Sequence, residues 1–84
     1  MQYQIVFKPK AIKSLEKIPA QDRTSILVGI EKLPDNLLGD VKRLTNFTPE
    51  YRLRIGKYRV LFEIEKEIII IYNILLRKIA YRRK

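Results

Sequence analysis

The stretch YRLRIGKYRVLF, residues 51–62, organises the rest of this chain. It contains two runs in which apolar and polar residues alternate, and Gly56-Lys57 lies between them. Alternation with a period of two is typical of a half-buried strand. A glycine in a two-residue connection supplies the positive φ of a tight hairpin turn. The stretch therefore predicts a β-hairpin that turns at Gly56-Lys57.

The position of the turn determines which residues share a face of this hairpin. Pairing starts with Ile55 opposite Tyr58 and continues outward to Tyr51 opposite Phe62. One face is then entirely apolar, which predicts a core surface. Its members are Tyr51, Leu53, Ile55, Tyr58, Val60 and Phe62.

Three arginines occupy the second face, where Arg52 is the outermost and Arg54 lies directly opposite Arg59. Like charges in opposite positions on a sheet are destabilising by a few tenths to about 1 kcal/mol. Arginine presents a planar fork of donors that suits phosphate, and it keeps its charge. Two interpretations follow: a basic face that only solvent contacts, or arginines that wait for an anion. We favour the second.

Length and composition restrict the class of protein. The 84 residues predict one domain, 1–84, which folds alone. The chain has neither cysteine nor histidine, so disulfides, thiolate chemistry, a zinc site and a serine triad are not expected. The carboxylates are scattered without the spacing of cation ligands. We therefore predict no metal and no cofactor, and the absence of cysteine fits a reducing cytoplasm.

The charge is strongly positive and unevenly distributed. Eighteen Lys+Arg against nine Asp+Glu give a net charge of +9, which predicts a polyanionic partner. Residues 51–62 and 76–84 contain no acid, so the excess is concentrated in two segments. No segment has the apolar length of a signal peptide or a membrane span. We expect a cytoplasmic protein with no membrane partner.

The remaining chain predicts two helices and further strands. Pro19 separates the two helices and Pro34 ends the second. The expected elements are a strand at 2–7, helices at 9–17 and 20–33, a short strand at 41–44, strands at 59–65 and 68–75, and a short helix or arm at 76–84. The predicted fold class is α+β, with the first strand and the helix pair packed on one face of a small antiparallel sheet.

The last predicted strand supplies an apolar side to the arginine face. The simplest register pairs Leu61 with Tyr72 and places Ile74 beside Arg59. Apolar residues on both faces of 68–75 predict an interior or covered strand. A cationic floor with an apolar wall suits single-stranded RNA, in which phosphates need charge and bases need a stacking surface. Docking of a partner helix remains an alternative for the same face.

The chain resembles the RelE/ParE superfamily of bacterial and archaeal toxins over nearly its whole length. The hairpin matches the superfamily pattern Y-R-[LI]-R-x-G-x-Y-R-[VI]-x-[YF]. This resemblance implies a RelE-like fold and a toxin of a type II toxin–antitoxin system. RelE-type members cut messenger RNA in the ribosomal A site, whereas ParE-type members poison DNA gyrase.

The resemblance also implies site residues. The implied catalytic groups are Arg52, Arg54, Arg59, Arg77 and Tyr81. The implied RNA contacts are Lys57, Leu61, Tyr72, Lys78, Arg82 and Arg83. The stretch Ile74-Leu75-Leu76-Arg77 departs from the Val-Gly-His-Arg of many relatives. Arginine also stands at positions that are often lysine in RelE-type enzymes, and an arginine cannot act as a base.

The implied reaction is metal-independent RNA cleavage, in which the 2′-hydroxyl attacks the adjacent phosphate. Tyr81 is the candidate proton-transfer group or a stacking platform, and its alternative role is a structural anchor. Two other functions stay open: a ParE-like gyrase inhibitor without catalysis, and a degenerate homologue that mainly binds antitoxin. The implied partners are a cognate acidic antitoxin, in a heteromeric complex, and the ribosome with its mRNA.

Overall fold

The structure is a computed structural model that describes residues 3–35, 37–44 and 48–80. The elements are β1 (Gln4–Phe7), α1 (Pro9–Lys17), α2 (Ala20–Glu31), β2 (Val41–Arg43), β3 (Tyr51–Ile55), β4 (Tyr58–Glu65), β5 (Ile68–Leu76) and α3 (Arg77–Ala80). The α+β class is confirmed, and the predicted bounds of the strands and of the first two helices differ from the observed ones by at most two residues. The last predicted segment, 76–84, contains α3 and extends beyond the described residues. Within the described ranges, no helix has the length and apolar character to cross a membrane.

The five strands form one sheet in the order β1-β5-β4-β3-β2. The predicted interior position of the last strand is confirmed, since β5 lies between β1 and β4. The predicted placement of the first strand on one face of an antiparallel sheet is corrected, because β1 joins the sheet at its edge and runs parallel to β5, with Gln4 beside Ile68. The two helices carry the chain from β1 at one edge to β2 at the other. No local turn therefore specifies the partner of β1.

The predicted hairpin register is confirmed from Ile55 opposite Tyr58 to Tyr51 opposite Phe62. Gly56 has φ +56°, as the tight turn requires. No heavy atom lies within 4 Å of the position that a Cβ would take there. The backbone conformation, and not the available space, is therefore what favours glycine at this position.

The two helices cover the apolar face of the hairpin. α1 packs against β5 and α2 against β3. Gly29 on α2 allows a close approach, because a Cβ at this position would lie 2.5 Å from Cδ1 of Ile55. The core cluster contains Ala11, Leu15, Ile18, Ile26, Ile30, Leu33, Leu53, Tyr58, Val60, Phe62, Ile69, Ile71 and Ile74. Burial of these side chains on one face leaves the arginine face of the hairpin on the other side of the sheet.

A β-bulge interrupts the pairing of β4 with β5. Phe62 pairs with Ile71 as predicted, but Leu61 pairs with Asn73, which leaves Tyr72 as an extra residue. The predicted pairing of Leu61 with Tyr72 is therefore wrong. One additional residue on one strand shifts every later pair by one position and exchanges the faces of the sheet.

The bulge moves Ile74 to the core. Ile74 pairs with Val60 and is buried in the core cluster, whereas Leu75 pairs with Arg59. The prediction that Ile74 lies beside Arg59 is corrected. Asn73 Oδ1 supports the bulge, because it accepts hydrogen bonds from the Ile74 amide at 2.9 Å and from Ser14 Oγ of α1 at 2.6 Å.

Candidate nucleic-acid interface

Arg59 is buried next to the hairpin turn, with 6% of the residue exposed. Its Nη1 donates hydrogen bonds to the carbonyl oxygens of Gly56 and Tyr58, both at 2.9 Å. The guanidinium group therefore fastens the turn from inside the chain. This corrects the expectation that Arg59 waits for an external anion, and its role in catalysis stays a prediction.

Tyr58 holds the same turn from the core side. Its hydroxyl donates to Oδ2 of Asp22 on α2 at 3.1 Å. Burial, the hydrogen bond with Asp22 and the charge of Asp22 together raise the pKa of Tyr58 above 10.0. The turn is thus attached to both a helix and its own strand, which makes it a rigid platform for the lysine that it presents.

The other two arginines of this face share one carboxylate. Arg52 Nη1 donates to the backbone oxygen of Asp40 at 2.9 Å and to its Oδ1 at 3.2 Å. Nε of Arg54 forms an ion pair with Oδ2 of Asp40, and the Arg54 amide donates to the Asp40 carbonyl at 3.0 Å. The anion that the sequence led us to expect from outside is, for Arg52 and Arg54, supplied by the chain itself.

β2 brings Asp40 to the arginines. Val41 pairs with Leu53, so the residue before Val41 lies beside Arg54 on the neighbouring strand. Sequence reasoning predicted β2 but assigned it no partner, and it therefore missed Asp40. The signal that could have found it is the antiparallel pairing of β2 with the hairpin.

Arg52 and Arg54 keep the Asp40 carboxyl group ionised. Burial raises the pKa of Asp40, but the hydrogen bond from Arg52 and the charges of Arg54 and Arg52 lower it by more, so the net pKa is below 3.8. The two arginines differ in exposure, since 13% of the Arg52 side chain and 56% of the Arg54 side chain are accessible. Nε of Arg52 is buried and has no hydrogen-bond partner.

A second cationic group surrounds the hairpin turn. Lys57, Leu76, Arg77 and Lys78 line one cleft. The cleft forms because β5 ends with Leu76 opposite Tyr58, and the Arg77 amide then donates to the Lys57 carbonyl at 2.8 Å. None of its three cations forms an ion pair with a carboxylate of the described residues.

The predicted apolar wall is not assembled as expected. Leu61 is 6% exposed, which leaves a stacking base almost none of its surface. Tyr72 is half-buried, and Nζ of Lys8 lies 5.3 Å from its ring centre. The predicted contact between Leu61 and RNA required an exposed side chain, and the structure corrects that expectation. Of the two predicted wall residues, Tyr72 is the more accessible, and sequence reasoning missed the lysine beside its ring.

Three predicted site residues, Tyr81, Arg82 and Arg83, lie outside the described residues. Lys78 is exposed at the start of α3. In the part of the chain that the structure describes, no three His, Cys, Asp or Glu residues come together as a metal-binding group would require. The described site is thus a set of arginines and lysines with one carboxylate.

The chain matches the family of ParE toxins of type II toxin–antitoxin systems (parDE) over residues 5–81. Among curated proteins, it is similar to putative toxin RelE1 of Methanocaldococcus jannaschii, with 32% identity over 88 aligned positions that cover 98% of each chain. It is also similar to toxin RelE3 of the same organism, with 29% identity over 82 residues that cover 92% of this chain and 93% of the relative.

Solved structures show the same fold. The RelB–RelE antitoxin–toxin complex from Methanococcus jannaschii aligns with a TM-score of 0.75 and 30% identity, over 90% of this chain and 94% of that one. The RelBE2 toxin–antitoxin complex from Mycobacterium tuberculosis aligns with a TM-score of 0.77 and 22% identity, over 92% and 100%. At that lower identity, the likeness concerns the fold alone.

Proposed function

This chain belongs to the RelE/ParE superfamily of type II toxin–antitoxin toxins, and we propose that it is a ribosome-dependent mRNA endonuclease. The observation that carries the proposal is the cleft lined by Lys57, Arg77 and Lys78, whose cations have no carboxylate partner among the described residues. The backbone of single-stranded RNA presents one negative charge per phosphate, and such a cleft attracts it.

The proposed reaction uses the RNA's own nucleophile. The 2′-oxygen attacks the adjacent phosphorus, and the bond from phosphorus to the 5′-oxygen breaks. The products are a 2′,3′-cyclic phosphate and a 5′-hydroxyl. The 2′-proton passes to a base, and the leaving 5′-oxygen takes a proton from an acid. Charge on the non-bridging oxygens rises in the transition state, and fixed cations stabilise it.

We assign the cations different parts in this reaction. Arg77 and Arg54 are the exposed guanidinium groups that would stabilise the charge on the phosphate. Arg59 acts as a positioning residue, because its Nη1 holds two carbonyl oxygens of the turn that carries Lys57. Tyr81 is proposed as the proton-transfer group.

The chemistry of the site, in addition to the family resemblance, supports a substrate that is bound to the ribosome. Histidine, the usual acid–base group at neutral pH, is absent from the chain, and the arginines beside Asp40 hold its pKa below 3.8. A site of this kind is a weak acid–base catalyst, and much of the rate would come from alignment of the RNA. We therefore propose that mRNA bound to the ribosome is the substrate.

Primer extension on a message translated in a cell-free system tests the proposal. We expect cuts within codons that require ribosomes and that disappear with Arg77→Gln. Lys13→Gln, which removes one exposed cation from α1, is the matched control and is expected to cut normally. An intact message with the unaltered protein would overturn the endonuclease proposal.

A second candidate is inhibition of DNA gyrase without catalysis. It is favoured by the match to the ParE family and by the ion pairs that Asp40 forms with Arg52 and Arg54. In this alternative the neutralised arginines are structural. A supercoiling assay with purified gyrase tests it, and loss of supercoiling together with an intact message would establish this function. Inactivity in both assays would leave a degenerate homologue that binds antitoxin.

We also propose an acidic antitoxin as the partner of this chain. The solved relative from Methanococcus jannaschii, at 30% identity, is a complex of the RelE toxin with the RelB antitoxin. The net charge of +9 favours an acidic segment by electrostatic complementarity. Copurification of the tagged chain with the product of each neighbouring small open reading frame tests the partner. The proposal fails if none of these products binds.

A further inference from the structure

We propose that Asp40 is a positioning residue that gives Arg52 and Arg54 different roles: it fixes Arg52 within the fold and yields Arg54 to a phosphate of single-stranded RNA. This inference rests on the proposed RNA substrate, and it adds a residue that the hairpin motif does not contain. It also separates two arginines that the motif treats alike.

Arg52 is fixed because Asp40 binds it twice. The Nη1 atom of Arg52 donates to both the backbone oxygen and Oδ1 of Asp40. Only 13% of the side chain is accessible, and Leu61 lies opposite it on β4. A swing of this side chain toward RNA would break two hydrogen bonds and expose apolar surface of the arginine stem. Because these losses are unfavourable, Arg52 stays in its position on the sheet.

Arg54 is held at a single side-chain atom. Its Nε forms the ion pair with Oδ2 of Asp40, and 56% of the side chain is accessible. Among the described residues, neither terminal nitrogen of Arg54 forms a hydrogen bond or an ion pair. Two parallel donors of a guanidinium group match two phosphate oxygens. The geometry thus lets a phosphate reach the terminal nitrogens of Arg54 before the ion pair between Nε and Asp40 breaks.

Transfer of Arg54 from Asp40 to a phosphate leaves no carboxylate without a partner. When a phosphate takes Arg54, the Asp40 carboxylate keeps its hydrogen bond and ion pair with Arg52. A phosphodiester and a carboxylate each carry one negative charge, so Arg54 trades one monoanion for another. The energetic difference is then small, and RNA competes directly with Asp40 for the same arginine.

Removal of the Asp40 charge tests this competition. In Asp40→Asn the amide oxygen still accepts from Arg52, while the ion pair with Arg54 is lost. We expect the affinity for RNA to rise about two- to fivefold, the range of a partly exposed ion pair. The probe is a labelled single-stranded oligoribonucleotide of mixed sequence, measured by fluorescence anisotropy at several salt concentrations.

Two further variants isolate the exchange at Arg54. Asp40→Asn combined with Arg54→Gln is expected to lose the gain, since the two residues are coupled. Glu50→Gln is the matched control, because it removes one carboxylate charge from the other end of β2, where Glu50 pairs with the exposed Arg43. We expect this control to change the affinity by less than Asp40→Asn does.

Arg54→Gln alone tests phosphate contact through the salt dependence of RNA affinity, which would not change if Arg54 had only a structural role. We expect the slope of log affinity against log salt to fall by about 0.7, which is one phosphate contact on a single strand. The thermal midpoint should fall only slightly, because the lost ion pair with Asp40 is partly exposed. This arm also keeps the inference testable if Asp40→Asn does not fold.

Several outcomes would overturn the inference. An equal gain for Glu50→Gln would show a general charge effect. A gain that persists without Arg54 would exclude the exchange, and a gain for a hexaglutamate peptide but not for RNA would assign the site to acidic protein segments. The anisotropy measurement needs no ribosome and no cleavage. If the RNA affinities change as expected while primer extension shows an intact message, the endonuclease proposal is overturned and this inference still holds.

Discussion

Two cationic groups lie near the same hairpin, and they differ in what balances their charge. In the acid-bound group, Asp40 neutralises much of the charge of Arg52 and Arg54. In the turn cleft, Lys57 and its two cationic neighbours have no carboxylate partner among the described residues. In both groups, each arginine or lysine adds one positive charge to the net charge of +9.

The difference teaches that formal charge does not locate a binding surface. An arginine already paired with a carboxylate contributes little field at a distance, because the opposite charges cancel beyond a few ångströms. An unpaired lysine or arginine retains its attraction for a polyanion. We therefore expect the turn cleft to dominate the affinity for RNA and the acid-bound group to adjust it.

The largest expected effect concerns the turn cleft. Three glutamines in place of Lys57, Arg77 and Lys78 remove three potential phosphate contacts. Each contact contributes a salt slope of about 0.7 on a single strand, so the slope falls by about 2 and the affinity at 0.1 M salt by about 100-fold. Anisotropy of labelled single-stranded RNA measures both quantities.

The matched control for this triple variant lies on α1. Lys10, Lys13 and Lys17 are exposed lysines of that helix, and their replacement by glutamine changes the net charge by the same amount. We expect this control to retain most of the affinity. A comparable loss would mean that net charge governs binding, and the comparison between the two groups would no longer hold.

The next effect is on stability and concerns Arg59, which lies between the two groups on β4. Arg59→Ala removes a buried donor from the carbonyl oxygens of Gly56 and Tyr58. We expect the free energy of unfolding to fall by about 1–3 kcal/mol. Urea denaturation of this variant and of Arg43→Ala, whose exposed ion pair should contribute under about 1 kcal/mol, provides the test. Equal midpoints for the two variants would contradict the turn-fastening role.

A smaller difference separates the two arginines of the acid-bound group. Arg52→Ala is expected to lower the free energy of unfolding by about 1 kcal/mol, because a largely buried side chain loses its packing and two hydrogen bonds. Arg54→Ala loses a more exposed ion pair and should cost less than half as much. Thermal denaturation of both variants measures the difference, and a larger loss for Arg54→Ala would reverse the assignment of roles.

The smallest effect is the acid sensitivity of Asp40. Its pKa in the folded chain lies below 3.8. The stabilising contribution of the carboxylate is therefore fully present above its unfolded pKa and is lost as the pH falls through the folded value. The difference in thermal midpoint between the unaltered protein and Asp40→Asn should shrink as the solution is acidified below 3.8. A difference independent of pH would show that the ion pairs do not contribute.

Local features of the sequence predicted most of the fold. Gly56 between two alternating runs specified the hairpin and its register, because a tight turn determines which residues lie opposite each other. Pro19 and the apolar spacing specified the two helices in the same way. Each of these signals acts between residues that are near in sequence.

The candidate site was only partly predictable. The motif identified the cations of the hairpin, but the carboxylate that holds two of them comes from the loop before β2. The bulge near Leu61 was also missed, since it arises where Asn73 accepts a hydrogen bond from Ser14, a residue far away in the sequence. That bulge removed Ile74 from the expected apolar wall.

By itself, the sequence determined the α+β class, the hairpin with its arginines and the excess of positive charge, since local turns, prolines and composition specify these properties. The tertiary structure alone decided which cations are neutralised. It pairs β2 with β3, which delivers Asp40 to Arg52 and Arg54, and it ends β5 beside the turn, which gathers Arg77 and Lys78 near Lys57. The physical reason is that electrostatic partners are selected by distance in space, and that distance exists only after the strands have paired.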